Sequence, residues 1–384
     1  MPLDFRFAII SDPHIALPTT IWDNPYRFHM VEVSIPALEV VLAELAEIDL
    51  DFLLLPGDLT QHGEPENHAW LAERLAQLPY PVYVVPGNHD VPAAIASLSP
   101  DSNRQTIGLS DFPQYYQKFG YEDPSRPYYT CEVLPGVRLI GLNSNDFDET
   151  GTQLPHGRLD AAQLQWLAEV LETCQDELVL VMVHHNVLEH LPGQTSHSMG
   201  RRYMLENAPD LLRLLRQAGV QLLFTGHLHV QDIAQQDGLY EVTTGSLVSY
   251  PHPYRLLHYR SDRSGTAQLY IESERVSAVE GWEDLSLRSR EWMGDRSFSF
   301  MLKLLTLPPL NLPVELATQL VPDLRYFWAD IAQGDALFDF AHFPAEARRY
   351  LYQFSALNVH GEYAPIDNRS VLNLGVRQGA FGIR

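Results

Sequence analysis

Five short apolar runs in this chain each stop at residues able to bind a cation. FAIIS runs into Asp12-Pro13-His14, DFLLLP into Gly57-Asp58, and VYVVP into Gly87-Asn88-His89-Asp90. LVLVMV stops at His184-His185, and LLFT at Gly226-His227-Leu228-His229. Apolar runs of this length read as strands, and the spacing between them predicts helices over Glu32–Glu47, Glu66–Gln77, Asp160–Thr173 and Ala208–Gln217. Strands alternating with helices define an α/β fold. In an open α/β sheet the carboxyl ends of the strands face one crevice, so residues from Asp12 to His229 should converge there. Asp, Asn and His offer hard oxygen and imidazole donors, suited to Mn, Fe, Zn, Ni or Mg.

The predicted strands are Arg6–Ile10, Asp51–Leu55, Pro81–Val85, Val137–Leu142, Leu178–Val183 and Val220–Thr225. Leu178–Val183 and Val220–Thr225 are apolar throughout, as strands covered on both faces are. Shorter strands at Leu239–Thr244, Arg255–Tyr259 and Ala267–Ile271 suggest a second sheet. Beyond about residue 275, helical spacing at Ser297–Leu305, Asp323–Ala332 and Ala345–Leu357 marks a different region, and Asn358–Arg384, rich in Gly and Asn, reads as irregular. The chain divides into a catalytic α/β unit, residues 1–273, and a helical C-terminal extension, residues 274–384. Tyr326, Phe327, Trp328, Phe338 and Phe340 in the extension read as core against the catalytic unit, with a lid or a homodimer face as the alternative.

The ordered set D-x-H, GD, GNHD, H and GHxH, each at a strand end, resembles the calcineurin-like metallophosphoesterase superfamily over roughly residues 5 to 273. GDLTQHGEPENHAW and VYVVPGNHD are similar to the bacterial class III branch, which includes cyclic-nucleotide phosphodiesterases. The chain departs from the serine/threonine phosphatase branch: Gly57-Asp58-Leu59-Thr60 lacks a following Asp-Arg-Gly, and GNHD replaces GNHE. A phosphate-clamping arginine is thereby lost, which disfavours monoester or phosphoprotein chemistry.

The resemblance implies a four-layer α/β/β/α sandwich holding two divalent or trivalent transition-metal ions, manganese and iron among the candidates. Asp12, His14 and His229 would hold the first ion, Asn88, His184 and His227 the second, and Asp58 would bridge them. The bridging role is also chemically constrained, because a carboxylate spans two cations where an imidazole cannot. The implied reaction is hydrolysis of small phosphodiesters, cAMP among them, by metal-bound hydroxide. His89 resembles the family histidine that protonates the leaving alkoxide, and Asp90 is expected to orient it by accepting its other N–H. Rival readings are a phosphomonoesterase or nuclease of the same fold, and a non-catalytic metal-binding scaffold.

The formal charge is −23 and the pI near 5.0, so long nucleic acid and anionic membrane are disfavoured as partners. Two divalent cations with Asp12, Asp58 and a hydroxide would still leave the site at about +1, enough to attract a diester. Two cysteines, Cys131 and Cys174, make no disulfide framework, and neither a signal peptide nor an apolar stretch of membrane-spanning length is evident, so a cytoplasmic protein is expected. A lone histidine is by default a surface or packed residue, and His29, His68, His156, His342 and His360 receive only that reading. His185 is divided between packing and substrate contact. The loop Asn186–Tyr203 leaves from the crevice rim, so His190, His197, Arg201 and Arg202 are candidate substrate contacts, as are Trp22, Asn24, Tyr26 and Arg27 after the first motif. Arg288–Arg296 reads as a solvated helix face.

Overall fold

The computed structural model describes residues 2–22, 27–92, 105–358 and 360–375. In chain order the first part of the chain runs β1 (Asp4–Ile9), α1 (Ser34–Ala46), β2 (Phe52–Leu55), α2 (Pro65–Leu75), β3 (Val82–Val84), α3 (Phe112–Tyr115), β4 (Tyr129–Leu134) and β5 (Val137–Gly141). It continues through α4 (Ala161–Thr173), β6 (Leu178–Met182), α5 (Ala208–Gln217), β7 (Leu222–Thr225), β8 (Asp232–Gln236), β9 (Leu239–Thr243), β10 (Pro253–Ser261) and β11 (Ala267–Arg275). The extension adds α6 (Leu285–Arg296), α7 (Phe298–Thr306), α8 (Val314–Leu320), α9 (Phe327–Gln333), α10 (Ala345–Tyr352) and β12 (Arg369–Leu374).

Two six-stranded sheets face each other, ordered β12-β11-β10-β1-β2-β3 and β4-β5-β6-β7-β9-β8. Their inner faces share one core, in which the Phe7 ring meets Phe224 edge-on at 5.5 Å. Leu38, Val41 and Leu45 of α1 and Leu71 of α2 belong to the core around the first sheet. Leu167 and Leu171 of α4 and Leu211 and Leu215 of α5 cover the second. Helices outside, sheets inside: this is the α/β/β/α sandwich. The strands β1, β2, β3 and β5, β6, β7 pair in parallel, and β2, β6 and β7 are almost wholly buried because they are covered from both sides. Local signals agree with this packing. Asp160 caps α4 by accepting from Gln163 N at 2.7 Å, and α5 starts with proline at its first turn and ends with Arg216 in its last.

Two expectations need correction. The strands after residue 230 form no sheet of their own: β9 joins the second sheet beside β7, while β10 and β11 widen the first. The stretch read as irregular contains β12, antiparallel to β11 with Leu372 opposite Leu269. Leu372 and Leu374 are buried while Arg369, Val371 and Asn373 are exposed, a period of two too short to stand out among Gly and Asn. The extension is thus helical in α6–α10 but also supplies β12, an edge strand of the first sheet.

The extension's core gathers Met301, Leu305, Leu324, Phe327, Phe338 and Leu351 around Leu228 and Val230. Those two residues belong to the loop that carries His227 and His229, so burial of Leu228 fixes the backbone between them. Phe327 and Phe338 are therefore core, their rings 4.4 Å apart and tilted by 52°. On α6, Arg288 pairs with Asp284 and Arg290 with Asp330, while Arg290 and Arg296 also lie over the Tyr326 and Trp292 rings, so this face is less solvated than expected.

Candidate metal centre

The polar residues after β1, β2, β3, β6 and β7 meet at one edge of the two sheets. The backbone brings them there before any side chain does: His14 N donates to Asp58 O at 3.0 Å and Gly226 N to His184 O at 3.2 Å, continuing the strand pairing past the strand ends. Asp12, His14, Asp58, His227 and His229 all have positive φ, between 42° and 65°. Left-handed backbone at five non-glycine positions is a cost of order 1–3 kcal/mol each, retained where surroundings over-determine it, and such positions cluster at functional sites.

The glycine of each motif is explained by its neighbour. A Cβ on Gly57 would lie 2.8 Å from His184 Cγ and 2.9 Å from Gly87 N. One on Gly87 would lie 2.8 Å from Asp58 Cγ, and one on Gly226 would overlap the Asp12 carboxylate. GD, GNHD and GHLH therefore interlock, each motif's glycine making room for another motif's side chain.

Two donor groups result. Asp12, His14, Asp58 and His229 offer ligand atoms all within 4.8 Å of one another, and so do Asp58, His184 and His227. Asp58 belongs to both. His229 Nε2 is 3.1 Å from Asp12 Oδ1, His14 Nε2 is 3.4 Å from His229 Nε2 and 3.7 Å from Asp58 Oδ2, and His184 Nε2 is 3.3 Å from Asp58 Oδ2 and 3.2 Å from Asn88 Oδ1. Two donors about 2.1 Å from one cation, at octahedral or tetrahedral angles, stand roughly 3.0–3.4 Å apart, so this set fits a metal. His184 adds a chemical reason. Its Nδ1 donates to Pro56 O at 2.8 Å, which in the neutral ring leaves Nε2 a lone pair facing two oxygens. A cation satisfies all three.

Electrostatics favour a neutral imidazole at His14 and His227 and a charged one at His184. Burial, then neighbouring imidazoles, hold His14 and His227 well below the ordinary histidine range. Burial also opposes charge on His184, but the Asp58 carboxylate outweighs it and raises this ring to about 9, a proton that a cation would displace. Burial alone would raise Asp58, yet His184, His89 and His14 hold it well below the usual carboxylate range.

Asp90 does not orient His89. Its carboxylate is fully buried and accepts from Gly87 N at 2.8 Å, Leu59 N at 3.1 Å and Thr60 N at 2.8 Å, tying the Asp58 loop to the Asn88 loop. Burial and the charge on Asp58 push it up to about 7 against those donors. His89 is held by the backbone of Gln61 instead, its Nδ1 donating to that carbonyl at 2.7 Å, while its own N–H donates to Asp58 Oδ1 at 2.8 Å. A backbone carbonyl leaves no trace in sequence.

The candidate substrate contacts separate in space. His185 is buried, bonded through Nδ1 to Ser144 Oγ at 2.8 Å, with its ring 4.3 Å from that of His227, so it packs behind the site. His197 lines a different, apolar cavity with Leu191, Phe327 and Tyr350, and Arg201 points to solvent and pairs with Glu206 at 3.4 Å. Arg202 is the one that lines the crevice, its guanidinium 4.7 Å from the Tyr203 ring. The Trp22 ring lies 5.0 Å from that of His62, tilted by 31°, and Arg27 pairs with Glu32, whereas Asn24 and Tyr26 lie outside the described residues. One residue was missed: His29 lies 4.1 Å, ring to ring, from His14 and 4.8 Å from His229.

His190 is structural too. It lies between Asp232, at 2.6 Å, and the fully buried Glu241, at 3.1 Å, and Glu241 also accepts from Val187 N and Leu188 N, anchoring the loop after His184. Burial disfavours its charge, but Glu241 and Asp232 raise it to about 10. A raised histidine contributes stability that is present below its unfolded value near 6.5 and lost as pH rises through about 10. Urea titrations between pH 6.5 and 10 should therefore show a loss of stability that His190→Gln lacks; equal slopes would remove the ion pair from the account.

The crevice above the two donor groups encloses about 360 Å³. Phe28, Tyr203 and Arg202 line it together with Met293 of α6, Phe300 of α7 and Trp328 of α9. The extension therefore builds part of the site.

A sandwich of two sheets with imidazole and carboxylate donors gathered at the strand ends around one shared aspartate defines a metal-dependent phosphoesterase scaffold. The model of the calcineurin-like phosphoesterase family matches residues 5–231, and the chain belongs to that family. It is 29% identical over 183 residues to a protein of Arcobacter nitrofigilis named "Probable glycerophosphodiester phosphodiesterase GpdQ", a match covering 47% of this chain and 56% of that one. It is 26% identical over 182 residues to the 3',5'-cyclic adenosine monophosphate phosphodiesterase CpdA of Escherichia coli, covering 47% and 55%. The chain thus spans little more than half the length of these two relatives. A dimetal phosphatase from Danio rerio shares the fold, with a TM-score of 0.50, 16% identity, and coverage of 71% of this chain and 96% of that one. Among the described residues, no helix is long and apolar enough to cross a membrane.

Proposed function

We propose that this chain is a dinuclear metal-dependent phosphodiesterase acting on small diesters, cyclic nucleotides among them. The observation that carries the reading is Asp58, common to two donor groups whose spacing suits two cations. Asp12, His14 and His229 would hold one, Asn88, His184 and His227 the other, and Asp58 both. Two divalent ions bound there would supply a water activated near neutral pH and would offset negative charge on the phosphoryl oxygens. The chain's own residues do the rest. Arg202, the only arginine or lysine lining the crevice among the described residues, suits the single charge of a diester. Phe28, Tyr203, Phe300 and Trp328 offer faces for a base or other ring and exclude water from the reacting atoms. The activities for which the two relatives are named, on glycerophosphodiesters and on cAMP, are both diester hydrolyses, which supports the same class here.

The test compares an aryl phosphodiester, the matching monoester, cAMP and a short single-stranded oligonucleotide after chelation and reloading with Mn²⁺, Fe²⁺, Zn²⁺ or Ni²⁺. Diester hydrolysis abolished by chelation, restored by metal and at least about tenfold above the monoester is the expected result. Two bound ions with no turnover of any ester would instead make the chain a binding scaffold, and preference for the monoester would reverse the substrate class.

A further inference from the structure

His29 stands outside every motif and yet among the donors. An imidazole nitrogen of His29 lies within 4.8 Å of those of His14 and His229, a group as close as the two already described. Its ring is 5.5 Å from that of His89, so it faces the crevice it helps to line. One residue holds both of these rings. Gln61, almost fully buried, accepts from His89 Nδ1 through its backbone carbonyl at 2.7 Å and pairs with His29 Nδ1 through side-chain Oε1 at 3.2 Å. An amide oxygen has no proton to give, so the proton of this bond is on His29 Nδ1 and the neutral ring keeps a lone pair at Nε2. With the His14 and His229 rings 4.1 and 4.8 Å from this one, a free lone pair on it suits a cation, whereas a phosphoryl oxygen would need a donor there. Histidines that bind metals have this pattern, one nitrogen on the ion and the other donating to an oxygen that fixes the ring.

We propose that His29 is a further ligand of the cation held by Asp12, His14 and His229, and that the Gln61 side chain is its positioning residue. The proposal rests on the metal-centre reading above. It makes the two metal positions unequal, since among the described residues no comparable extra imidazole joins Asp58, His184 and His227. The position on the His29 side would be richer in nitrogen donors and would retain its ion more firmly, leaving the other as the exchangeable one.

The experiment titrates the chelated full-length protein with Co²⁺, followed by calorimetry and visible absorption, for wild type, His29→Ala, His29→Gln and Gln61→Met. Expected are one binding event weakened at least about tenfold in both His29 variants with the other unchanged, and a smaller shift of the same event in Gln61→Met, which leaves the backbone carbonyl on His89 intact. Proton NMR of the Co²⁺-loaded wild type gives a readout that needs no variant to fold. Each coordinated imidazole keeps an exchangeable N–H with a large paramagnetic shift, and one more such signal is expected than His14, His184, His227 and His229 supply. Wild type that binds no Co²⁺ overturns the metal reading itself. Wild type that binds, with His29 variants that titrate identically or with no additional signal, overturns the role of His29 alone.

Discussion

Asp58→Asn is expected to lower kcat/KM for phosphodiester hydrolysis by at least about a thousandfold, roughly 4 kcal/mol of transition-state stabilisation. The substitution isolates charge and bridging from everything else Asp58 does. Its backbone has a φ of 48°, a region Asn tolerates and Ala resists, so Asn preserves the turn that carries it. The Asn side-chain oxygen can still accept from His89 N, now at 2.8 Å. What is lost is the anion shared by the two donor groups, so that each would confront its cation with one negative oxygen fewer. His184 would also lose the carboxylate that raises it and become easier to hold neutral in the metal-free protein. Circular dichroism and Tm report whether the fold survives, and metal analysis reports occupancy. A folded variant retaining activity within tenfold of wild type would exclude a bridging carboxylate.

The reason that site could be approached from sequence is geometric. Parallel strands buried on both faces are written as unbroken apolar runs, so the residue at which each run stops is conspicuous, and sheet topology brings those stops together. Asp12, Asp58, Asn88, His184 and His227 each follow such a run closely. His29 follows none. It sits in the connection between β1 and α1, and only the folded chain places it 4.1 Å from His14. Gln61 works partly through its carbonyl, which any residue possesses. Arg201 and Arg202 are adjacent in sequence, and a single short helical turn decides that the second faces the crevice while the first faces water. Asp90 departs from expectation for the converse reason. Adjacency to His89 suggested contact, but its carboxylate turns back to three backbone N–H groups that had no other partner in the turn. The crevice wall formed by Met293, Phe300 and Trp328 was equally out of reach, because it depends on how the extension docks around Leu228.

His89→Ala is expected to discriminate between leaving groups. For a diester whose departing alkoxide is strongly basic, the barrier includes delivery of a proton to the leaving oxygen, and losing a positioned general acid costs about 10²- to 10⁴-fold. For an aryl diester such as bis(4-nitrophenyl) phosphate the departing phenolate is stable without a proton, and the loss should stay below about tenfold. The site specifies which proton is at stake. Gln61 O can only accept, so His89 Nδ1 keeps its proton in either charge state and the transferable one is on Nε2, the nitrogen left free by that bond. After transfer the ring is neutral in the tautomer the carbonyl already favours, so no rearrangement accompanies the step. His89 N donates to Asp58 in the wild type and would do so in the alanine variant, because that bond belongs to the backbone. Metal content should therefore hold, and measuring it separates this outcome from collapse of the centre. Equal losses for alkyl and aryl diesters would point to positioning of the phosphoryl group instead, and no loss for either would remove His89 from the reaction.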